Sequence, residues 1–568
     1  MTKITNNILT AVRRFFGDSR CLVLWVLTAL IVPNIVLDFT EMSPILWKFA
    51  NIFMPLGFYA IFMAANKRTG LMALLALPLM IFAAFQLVLS YLYGESIIAV
   101  DMFLNVVTTN VAEATELLSN LFVAIAVVVV LYLPPLIWGA MFYGRLRTPN
   151  AFRYGMAISG AVLLLTGGLT TSLASVGGQE REFHREIFPV NVICNLHEAV
   201  QRARQVNDYP VTSKGFSYDA VSCRPADERE IYLFVIGETA RSCNWQLGGY
   251  GRCTNPRLSR EKNVVFCPRA ISESNTTHKS VPMIMSMVSA ENFDSISSCK
   301  SIITAMKEAG FRTHFFSNQA PNRSYTEYFG NEADDVRYTD FSNSGHPYDA
   351  ALLPMVIDAV SDTVHLKHFI VLHTYGSHFL YRDRYPVEFA RFLPDDAIDA
   401  NPGNRRELIN AYDNTIAYTD AFLADAIDVL KREQCRSALL YSSDHGEDIF
   451  DDARGRFLHA SPNPTYWQLH VGMLLWLSEQ AVEGSPVLMT ALRRNSQKCV
   501  SPQKSMFNTA LEIAGVATPR FDASGSLTNP SYHFGKAVYL TDLNKAVPLD
   551  KSGIRKIDKE KLNDVLMP

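Results

Sequence analysis

The sequence is poor in charged residues, and the shortage is confined to one part of the chain. Charged side chains make up 19% of the 568 residues, whereas hydrophobic ones make up 49%. Residues 1–175 hold 10 basic and 7 acidic residues, whereas the remainder has about the quarter of charged residues that is typical of a globular domain. The low charge therefore excludes a wholly soluble chain and indicates a membrane segment followed by a soluble domain.

An excess of basic residues is also missing. The soluble part carries 42 basic and 48 acidic residues, whereas proteins that bind nucleic acid through its phosphates need a surplus of positive charge. We therefore expect no nucleic-acid partner.

Five apolar stretches in the first part are long enough, or nearly so, to cross about 30 Å of hydrocarbon as helices. The first stretch is not followed by the small-residue cleavage site of a signal peptide, so we expect it to remain as an anchor. The predicted spans are 21–37, 49–65, 71–93, 121–142 and 154–176.

Basic residues lie on alternate connections between these spans, and the other connections are neutral or acidic. By the positive-inside rule the N-terminus is then cytoplasmic, and five spans deliver the soluble domain to the opposite side of the membrane. In a bacterium that side is the periplasm or the cell exterior. The basic residues are Arg13, Arg14, Arg20, Lys67, Arg68, Arg145, Arg147 and Arg153.

Eight of the nine cysteines lie in the soluble part. An even number of thiols in an exported domain predicts disulfides, although eight cysteines allow 105 pairings. Cys243 with Cys253 is the preferred pair because it closes a short loop. Free, buried cysteines are the alternative.

The remainder of the chain divides into a connector and an α/β domain. Residues 177–229 are charged and amphipathic, which predicts an interfacial connector. Residues 230–568 alternate short apolar strands with helices, so we expect a parallel sheet covered by helices. The predicted strands are 231–236, 313–317, 368–372, 437–442 and 471–477, and the predicted helices include 299–309, 354–360 and 406–430.

Metal-ligating side chains follow several of these strands. Active groups in α/β sheets lie beyond the carboxyl ends of strands, and a set of carboxylates and imidazoles suits Zn²⁺ and would also accept Mn²⁺. Each cluster alone could be an ordinary hydrogen-bonded pair, but their coincidence favours a metal site. The residues are Glu238, His373, His378, Asp444, His445 and His459.

The hydroxyl-rich run 272–282 contains a candidate nucleophile that such a metal would activate, and it leads into a predicted helix. A metal lowers the pKa of a bound hydroxyl, and a helix N-terminus binds anions. Any single Ser or Thr of the run could instead be an N-cap.

Four motifs give the chain a family resemblance. It resembles the bacterial phosphoethanolamine transferases of the alkaline-phosphatase superfamily, which include lipid A modifying and colistin-resistance enzymes. The resemblance implies a helical membrane domain with five spans (1–176), a connector (177–229) and an alkaline-phosphatase/sulfatase-like α/β domain (230–568). The motifs are G-E-T-A-R at 237–241, T-x-x-S-V-P at 277–282, H-T-x-G-S-H at 373–378 and S-D-H-G-E at 443–447.

The resemblance also implies roles for individual residues. Thr277 would be the nucleophile that becomes phosphoethanolaminylated and would also ligate zinc. Glu238, Asp444 and His445 would be the other zinc ligands. Further substrate or second-metal ligands would be His378, His459, His373, Asn105, Thr109, Glu113 and Arg323.

Three of these residues lie in the outer loop of the membrane part. Asn105, Thr109 and Glu113 are spaced i, i+4, i+8, which puts them on one face of a helix. The spacing alone is typical of a solvated face, whereas the resemblance implies that they help hold the donor lipid.

The implied reaction transfers phosphoethanolamine from phosphatidylethanolamine to an envelope glycolipid, with lipid A preferred as acceptor. The alternatives are core sugars, a periplasmic glucan, or a phosphoglycerol transferase. A monomer in the bacterial inner membrane and polymyxin resistance are implied as well. A sulfatase would need C/S-x-P-x-R, and Cys223-Arg224-Pro225-Ala226-Asp227 ends in Asp. A non-catalytic sensor would have lost ligands, and here they are present.

Two departures from the family pattern stand out. Many relatives have a cysteine and a glycine before the nucleophile, where this chain has Glu273-Ser274-Asn275. The interval from Asp444 to His459 is also slightly longer than in the colistin-resistance enzymes.

Overall fold

The computed structural model describes residues 15–40, 43–93, 97–108, 121–176, 183–341, 346–397 and 400–566. The chain divides into two compact units, each of which is described by itself. One unit comprises Met1–Phe103 and Leu118–Val200, and the other comprises Leu104–Leu117 and Gln201–Pro568. The first is helical, and the second is built on a β-sheet.

Long apolar helices dominate the first unit. Within the part of the chain that the structure describes, four helices are long and apolar enough to cross a membrane. Many of their apolar side chains are exposed, such as Leu165 at 75%, as expected for surfaces that face lipid. The four helices are Ser19–Thr40, Ile45–Ala64, Phe122–Met141 and Asn150–Val176.

The third predicted span is not the single helix that we expected over 71–93. It is divided into Thr69–Leu75 and Leu77–Tyr93, whose axes differ by 51°. Pro78 explains the break because its ring lacks an N–H and clashes with the carbonyl four residues earlier. Counted as one bent span, the pair brings the total to five.

Two membrane helices approach each other at a pair of glycines. A Cβ on Gly57 would lie 2.6 Å from the carbonyl oxygen of Gly160, and a Cβ on Gly160 would lie 2.7 Å from that of Gly57. Small residues are favoured between membrane helices because they allow this close approach. The glycines thus fix how Ile45–Ala64 packs on Asn150–Val176.

The second unit is organised around a seven-stranded sheet. Its strands are β2 (Glu230–Gly237), β3 (Val264–Phe266), β4 (Arg312–Ser317), β5 (Asp335–Tyr338), β6 (Lys367–His373), β7 (Arg436–Ser443) and β10 (Met473–Leu477). Their order across the sheet is β3-β10-β7-β2-β6-β4-β5, and the central strands β2 and β6 are buried along their whole length.

Most of this sheet is parallel, as expected, with one exception. The pairs β2–β6, β2–β7, β4–β6 and β4–β5 are parallel, whereas β10 runs antiparallel to both β7 and β3. The expectation of a parallel strand over 471–477 was therefore wrong. A continuous apolar run shows that a strand is buried, but not its direction, which the intervening loop and helix Tyr466–Leu469 determine.

Three small antiparallel pairs and a further set of helices make up the rest of the regular structure in the described ranges. The pairs are β1 (Val221–Ser222) with β11 (Val516–Ala517), β8 (Asp448–Ile449) with β9 (Phe457–Leu458), and β12 (Val538–Leu540) with β13 (Ala546–Pro548). The remaining α-helices are Val100–Thr108, Phe183–Glu186, Val190–Thr212, Thr277–Ile284, Ile302–Glu308, Tyr325–Gly330, Leu353–Val360, Arg405–Arg432, Tyr466–Leu469, Glu479–Gly484, Pro486–Asn495, Pro502–Ala514 and Lys556–Leu566.

The expected disulfides are not formed. All nine cysteines lie in the described ranges, and all nine are free. In the preferred pair, the Cys243 thiol donates to the Asn244 side chain at 3.3 Å, whereas Cys253 is exposed. Spacing along the chain predicted a short loop but not the direction in which each thiol points.

Candidate active site

Strand register brings the predicted site residues to one edge of the sheet. Gly237 at the end of β2 lies opposite Ser443 at the end of β7, and Ile236 lies opposite His373 at the end of β6. Because the three strands are parallel neighbours, the residues that follow them share that edge.

Three of the predicted metal ligands form a buried cluster there. Glu238, Asp444 and His445 offer ligand atoms that all lie within 4.8 Å of one another. The Nε2 atom of His445 is 3.4 Å from a Glu238 carboxylate oxygen and 3.2 Å from Asp444 Oδ2.

Thr277 completes this cluster as the first residue of helix Thr277–Ile284. Its Oγ1 lies 3.0 Å from His445 Nε2 and 3.4 Å from Glu238 Oε1. Four ligands at about 2.05 Å from a tetrahedral zinc ion would be about 3.3 Å from one another. The observed spacings fit a zinc-sized ion bound among the four side chains.

The other hydroxyls of the run 272–282 are engaged elsewhere. The hydroxyls of Ser272 and Ser280 both donate to the Asp444 carbonyl at 2.6 Å, and those of Ser274 and Thr276 lie 3.2 Å apart as a hydrogen-bonded pair. Among the contacts that the structure describes, the Thr277 hydroxyl is the only side-chain hydroxyl of this run that contacts the side chains of Glu238 and His445.

Two of the ligands, His445 and Asp444, are oriented by further hydrogen bonds. The Nδ1 atom of His445 lies 2.9 Å from the Gly446 carbonyl, so Nδ1 carries the proton and the Nε2 lone pair faces the cluster. Asp444 Oδ1 accepts the backbone N–H groups of Thr239 and His445. Asp444 Oδ2 is buried and has no hydrogen-bond partner among the residues that the structure describes, which fits an atom that ligates a cation.

Electrostatics also favour a cation at this point. Burial raises the pKa of both Glu238 and Asp444, and the Asp444 charge adds to the rise for Glu238. Burial alone would lower the pKa of His445, but the Asp444 and Glu238 carboxylates raise it. Two buried carboxylates of like charge are costly unless a positive charge lies between them.

His378 and His459 lie beside the cluster. The rings of His445 and His459 have centroids 4.1 Å apart, and those of His378 and His459 are 6.3 Å apart. Burial lowers the pKa of His378. The pKa of His459 is lowered to about 3, mainly by burial and to a smaller extent by the charge of the neighbouring His445. Both imidazoles are therefore neutral, and each has a ring nitrogen lone pair that can ligate a metal.

The remaining predicted residues are placed less centrally. His373 ends β6, and its Nδ1 lies 3.2 Å from the Ser317 hydroxyl. Arg323 is exposed and lines a cavity of about 450 Å³ that His278 also lines. Thr109 and Glu113 lie outside the described residues, and only the backbone of Asn105 is described, in helix Val100–Thr108.

Two residues that were not predicted from the sequence contact the predicted ligands. A carboxylate oxygen of Glu447 lies 3.1 Å from His459 Nδ1, and the other accepts the Tyr381 hydroxyl at 2.5 Å. Gln319 donates to Glu238 at 3.2 Å. Glu447 could have been found as the last residue of the S-D-H-G-E motif, whereas no motif marks Gln319.

Comparisons with known proteins identify both parts of the chain. A family model described as Sulfatase matches residues 230–516, and one described as Phosphoethanolamine transferase EptA/EptB matches residues 54–204. Phosphoethanolamine transferase EptA of Salmonella typhimurium is 30% identical over 323 residues, which cover 54% of this chain and 56% of that protein. This chain thus spans little more than half the length of that curated relative.

Solved structures share the fold. The integral membrane protein lipooligosaccharide phosphoethanolamine transferase A of Neisseria meningitidis superposes with a TM-score of 0.72 at 22% identity, covering 90% of this chain and 98% of that one. The periplasmic domain of Escherichia coli EptC, in complex with Zn, superposes with a TM-score of 0.53 at 23% identity, covering 58% of this chain and 95% of that domain. The predicted fold class is confirmed.

Proposed function

This chain belongs to the phosphoethanolamine transferase EptA/EptB family with a sulfatase-type catalytic domain, and we propose that it transfers phosphoethanolamine from phosphatidylethanolamine to an envelope glycolipid, with lipid A as the acceptor. Thr277 is the nucleophile and carries phosphoethanolamine between the two half-reactions. The observation that carries this proposal is the position of Thr277 Oγ1, 3.0 Å from His445 Nε2 and 3.4 Å from Glu238 Oε1.

Glu238, Thr277, Asp444 and His445 would hold one Zn²⁺ ion, since their chemistry and spacing fit it. When bound, zinc lowers the pKa of a ligating hydroxyl and stabilises negative charge on phosphoryl oxygens. Manganese is the alternative for this ligand set.

The chain's own residues account for the covalent steps. In the first, a bond forms between Thr277 Oγ and phosphorus while the bond from phosphorus to diacylglycerol breaks. The Thr277 hydroxyl proton balances the charge on the departing diacylglycerol oxygen, and we infer that His378 and His459, which lie beside the cluster, relay it. In the second, an acceptor oxygen bonds to the same phosphorus as the Thr277 bond breaks. The acceptor proton then restores the Thr277 hydroxyl.

The cavity beside His278 supports binding of an anionic substrate. Its lining includes the basic side chains Arg202, Lys279 and Arg323, and cations of this kind neutralise phosphate oxygens. Arg323, on an exposed turn, would contact the phosphoethanolamine group. Asn105, Thr109 and Glu113 would help to hold the donor lipid.

The membrane helices give this chemistry its location. We infer an inner-membrane protein with a cytoplasmic N-terminus and a periplasmic catalytic domain. Anchoring at the bilayer concentrates the lipid donor and a lipid-linked acceptor around one site.

Mass spectrometry of the acceptor tests the proposal. The full chain is expressed in a bacterial host that lacks such transferases, and its lipid A and core sugars are weighed. Transfer to lipid A adds about 123 Da, and Thr277→Ala should abolish the increment because the covalent carrier is lost. An increment on core sugar or a glucan instead would overturn the lipid A assignment, and full activity of the Ala variant would overturn the nucleophile.

A further inference from the structure

His459 lies in an unusual stretch of backbone. The residues on either side of it, Leu458 and Ala460, both have positive φ angles, of +67° and +64°. Residues with a Cβ adopt this left-handed region only at a cost in free energy. Such a turn persists where surrounding contacts hold it, and two buried amide side chains provide those contacts.

Asn275 holds the C-terminal side of the turn. It lies two residues before Thr277 and is 2% exposed. Its backbone carbonyl accepts the Ala460 N–H at 3.1 Å, and its Nδ2 donates to the Ser461 carbonyl at 2.8 Å. The loop that carries the proposed nucleophile is thereby bonded directly to the two residues that follow His459.

Gln468 holds the N-terminal side of the turn and is fully buried. Its Nε2 donates to the Leu458 carbonyl at 3.2 Å and to the Asp448 carboxylate at 2.7 Å. Its Oε1 accepts the second Nδ2 hydrogen of Asn275 at 2.6 Å. The two amides are therefore bonded to each other as well as to the backbone on both sides of His459.

The same pair reaches the metal-ligand loop. The Gly446 N–H, next to His445, donates to the Gln468 backbone carbonyl at 2.8 Å. Asn275 and Gln468 thus join three loops, those of Thr277, His445 and His459, which are far apart in sequence.

We propose that Asn275 and Gln468 form an amide clamp, a pair of positioning residues that fixes His459 relative to Thr277. The proposal depends on the proposed transferase function for its effect on catalysis. All hydrogen-bonding groups of the Asn275 amide are used, because Oδ1 also accepts the Tyr539 hydroxyl at 2.7 Å. An aspartate at position 275 has no N–H to donate. Its carboxylate would face the Ser461 carbonyl and Gln468 Oε1, which are both acceptors, so both hydrogen bonds would be lost.

The test compares N275D with the wild type as full-length protein in detergent micelles. Hydrogen exchange of residues 456–463 is followed by mass spectrometry, and transfer is measured with phosphatidylethanolamine as donor. We expect faster exchange in this segment and a fall in kcat of about tenfold or more, the range found when residues that orient ligands are changed. Because the proposed role of His459 is proton relay and not donor binding, the KM for the donor should change by less than about threefold.

Asn495 provides a matched control. It is also fully buried, and its Nδ2 donates to two backbone carbonyls, those of Leu527 and Asn529, at 3.0 and 2.8 Å. N495D therefore introduces the same buried charge without touching the clamp. It should lower the melting temperature and leave kcat and exchange of residues 456–463 within about twofold of the wild type.

The outcomes separate the clamp from the proposed function. Unchanged exchange and kcat in N275D, or an equal loss of kcat in N495D, would overturn the clamp. If N275D does not fold, N275A removes the same side-chain bonds without adding a charge and is expected to give the same result. A wild-type protein that transfers nothing would defeat the proposed function, while exchange in the variants would still decide whether the clamp holds the loop.

Discussion

Individual residues of the site are held by neighbours before any ligand arrives. The ring of His445 is fixed by the Gly446 carbonyl, and Asp444 is fixed by two backbone N–H groups. Such preorganisation removes the cost of reorienting dipoles when charge develops. Glu447 extends the same arrangement to His459.

Buried histidines away from the site should make the stability of the second unit depend on pH. His470 is an example: its Nε2 lies 2.8 Å from the Pro268 carbonyl and its Nδ1 lies 2.8 Å from the Tyr466 hydroxyl. The neutral ring therefore donates once and accepts once. Burial lowers the pKa of His470 to about 4, below the value of about 6.5 for an exposed histidine.

We predict that this histidine destabilises the protein in acid. Between about pH 6.5 and pH 4 the unfolded chain binds a proton that the folded chain does not, so the free energy of unfolding falls as pH falls. The loss is of the order of 3 kcal/mol when pH reaches about 4. Thermal unfolding at pH 7 and pH 5 should differ less in His470→Gln than in the wild type. The exposed His533 gives a control: His533→Gln should keep the full pH dependence.

At the scale of elements, the close approach of two membrane helices depends on glycine. A side chain at Gly160 would collide with the backbone of Gly57, and backbone cannot move away as the end of a flexible side chain can. Gly155 lies in the same helix, Asn150–Val176, but a Cβ there would meet no atom of a described residue within 4 Å. The two positions therefore form a matched pair.

Gly160→Ile should destabilise the helical unit by about 1–3 kcal/mol because of overpacking. The effect is measured as the melting temperature in detergent, with the loss of folded protein monitored by size-exclusion chromatography. Gly155→Ile should unfold within a few degrees of the wild type. Equal melting temperatures for all three proteins would show that the close contact does not determine the packing.

At the scale of the whole molecule, the bent helix pair decides the topology. If Thr69–Leu75 and Leu77–Tyr93 together cross the membrane, the helices in the described part of the chain make five crossings, and without this pair they make four. An odd number places the two ends of the chain on opposite sides of the membrane, whereas an even number places them on the same side. The side of the membrane that the C-terminal end of the chain reaches thus depends on this bent pair.

We predict that the pair crosses and that the C-terminus is exported. A reporter that is active only after export, fused at Pro568, should be active. The same reporter fused after the basic loop at Arg147 should be inactive, because positively charged loops remain in the cytoplasm. Activity of both fusions, or of neither, would contradict five crossings with this orientation.

The sequence by itself was sufficient for the features that depend on local pattern. Apolar runs located the buried strands and the membrane helices because burial requires hydrophobic side chains at a fixed period. The order of Glu238, Asp444 and His445 after strands predicted that they would meet, since parallel strands end at one edge. The four sequence motifs around Glu238, Thr277, His373 and Asp444 indicated the family, and the comparisons confirm it.

Only the tertiary structure decided what depends on contacts between distant residues. It set β10 antiparallel to its neighbours, left the cysteines unpaired and directed the Thr277 hydroxyl, alone among its neighbours in the run, at His445. It also joined Asn275 to Gln468, 193 positions away. Local sequence does not encode such pairs, because the direction of a side chain and its partner are fixed only when the loops pack together.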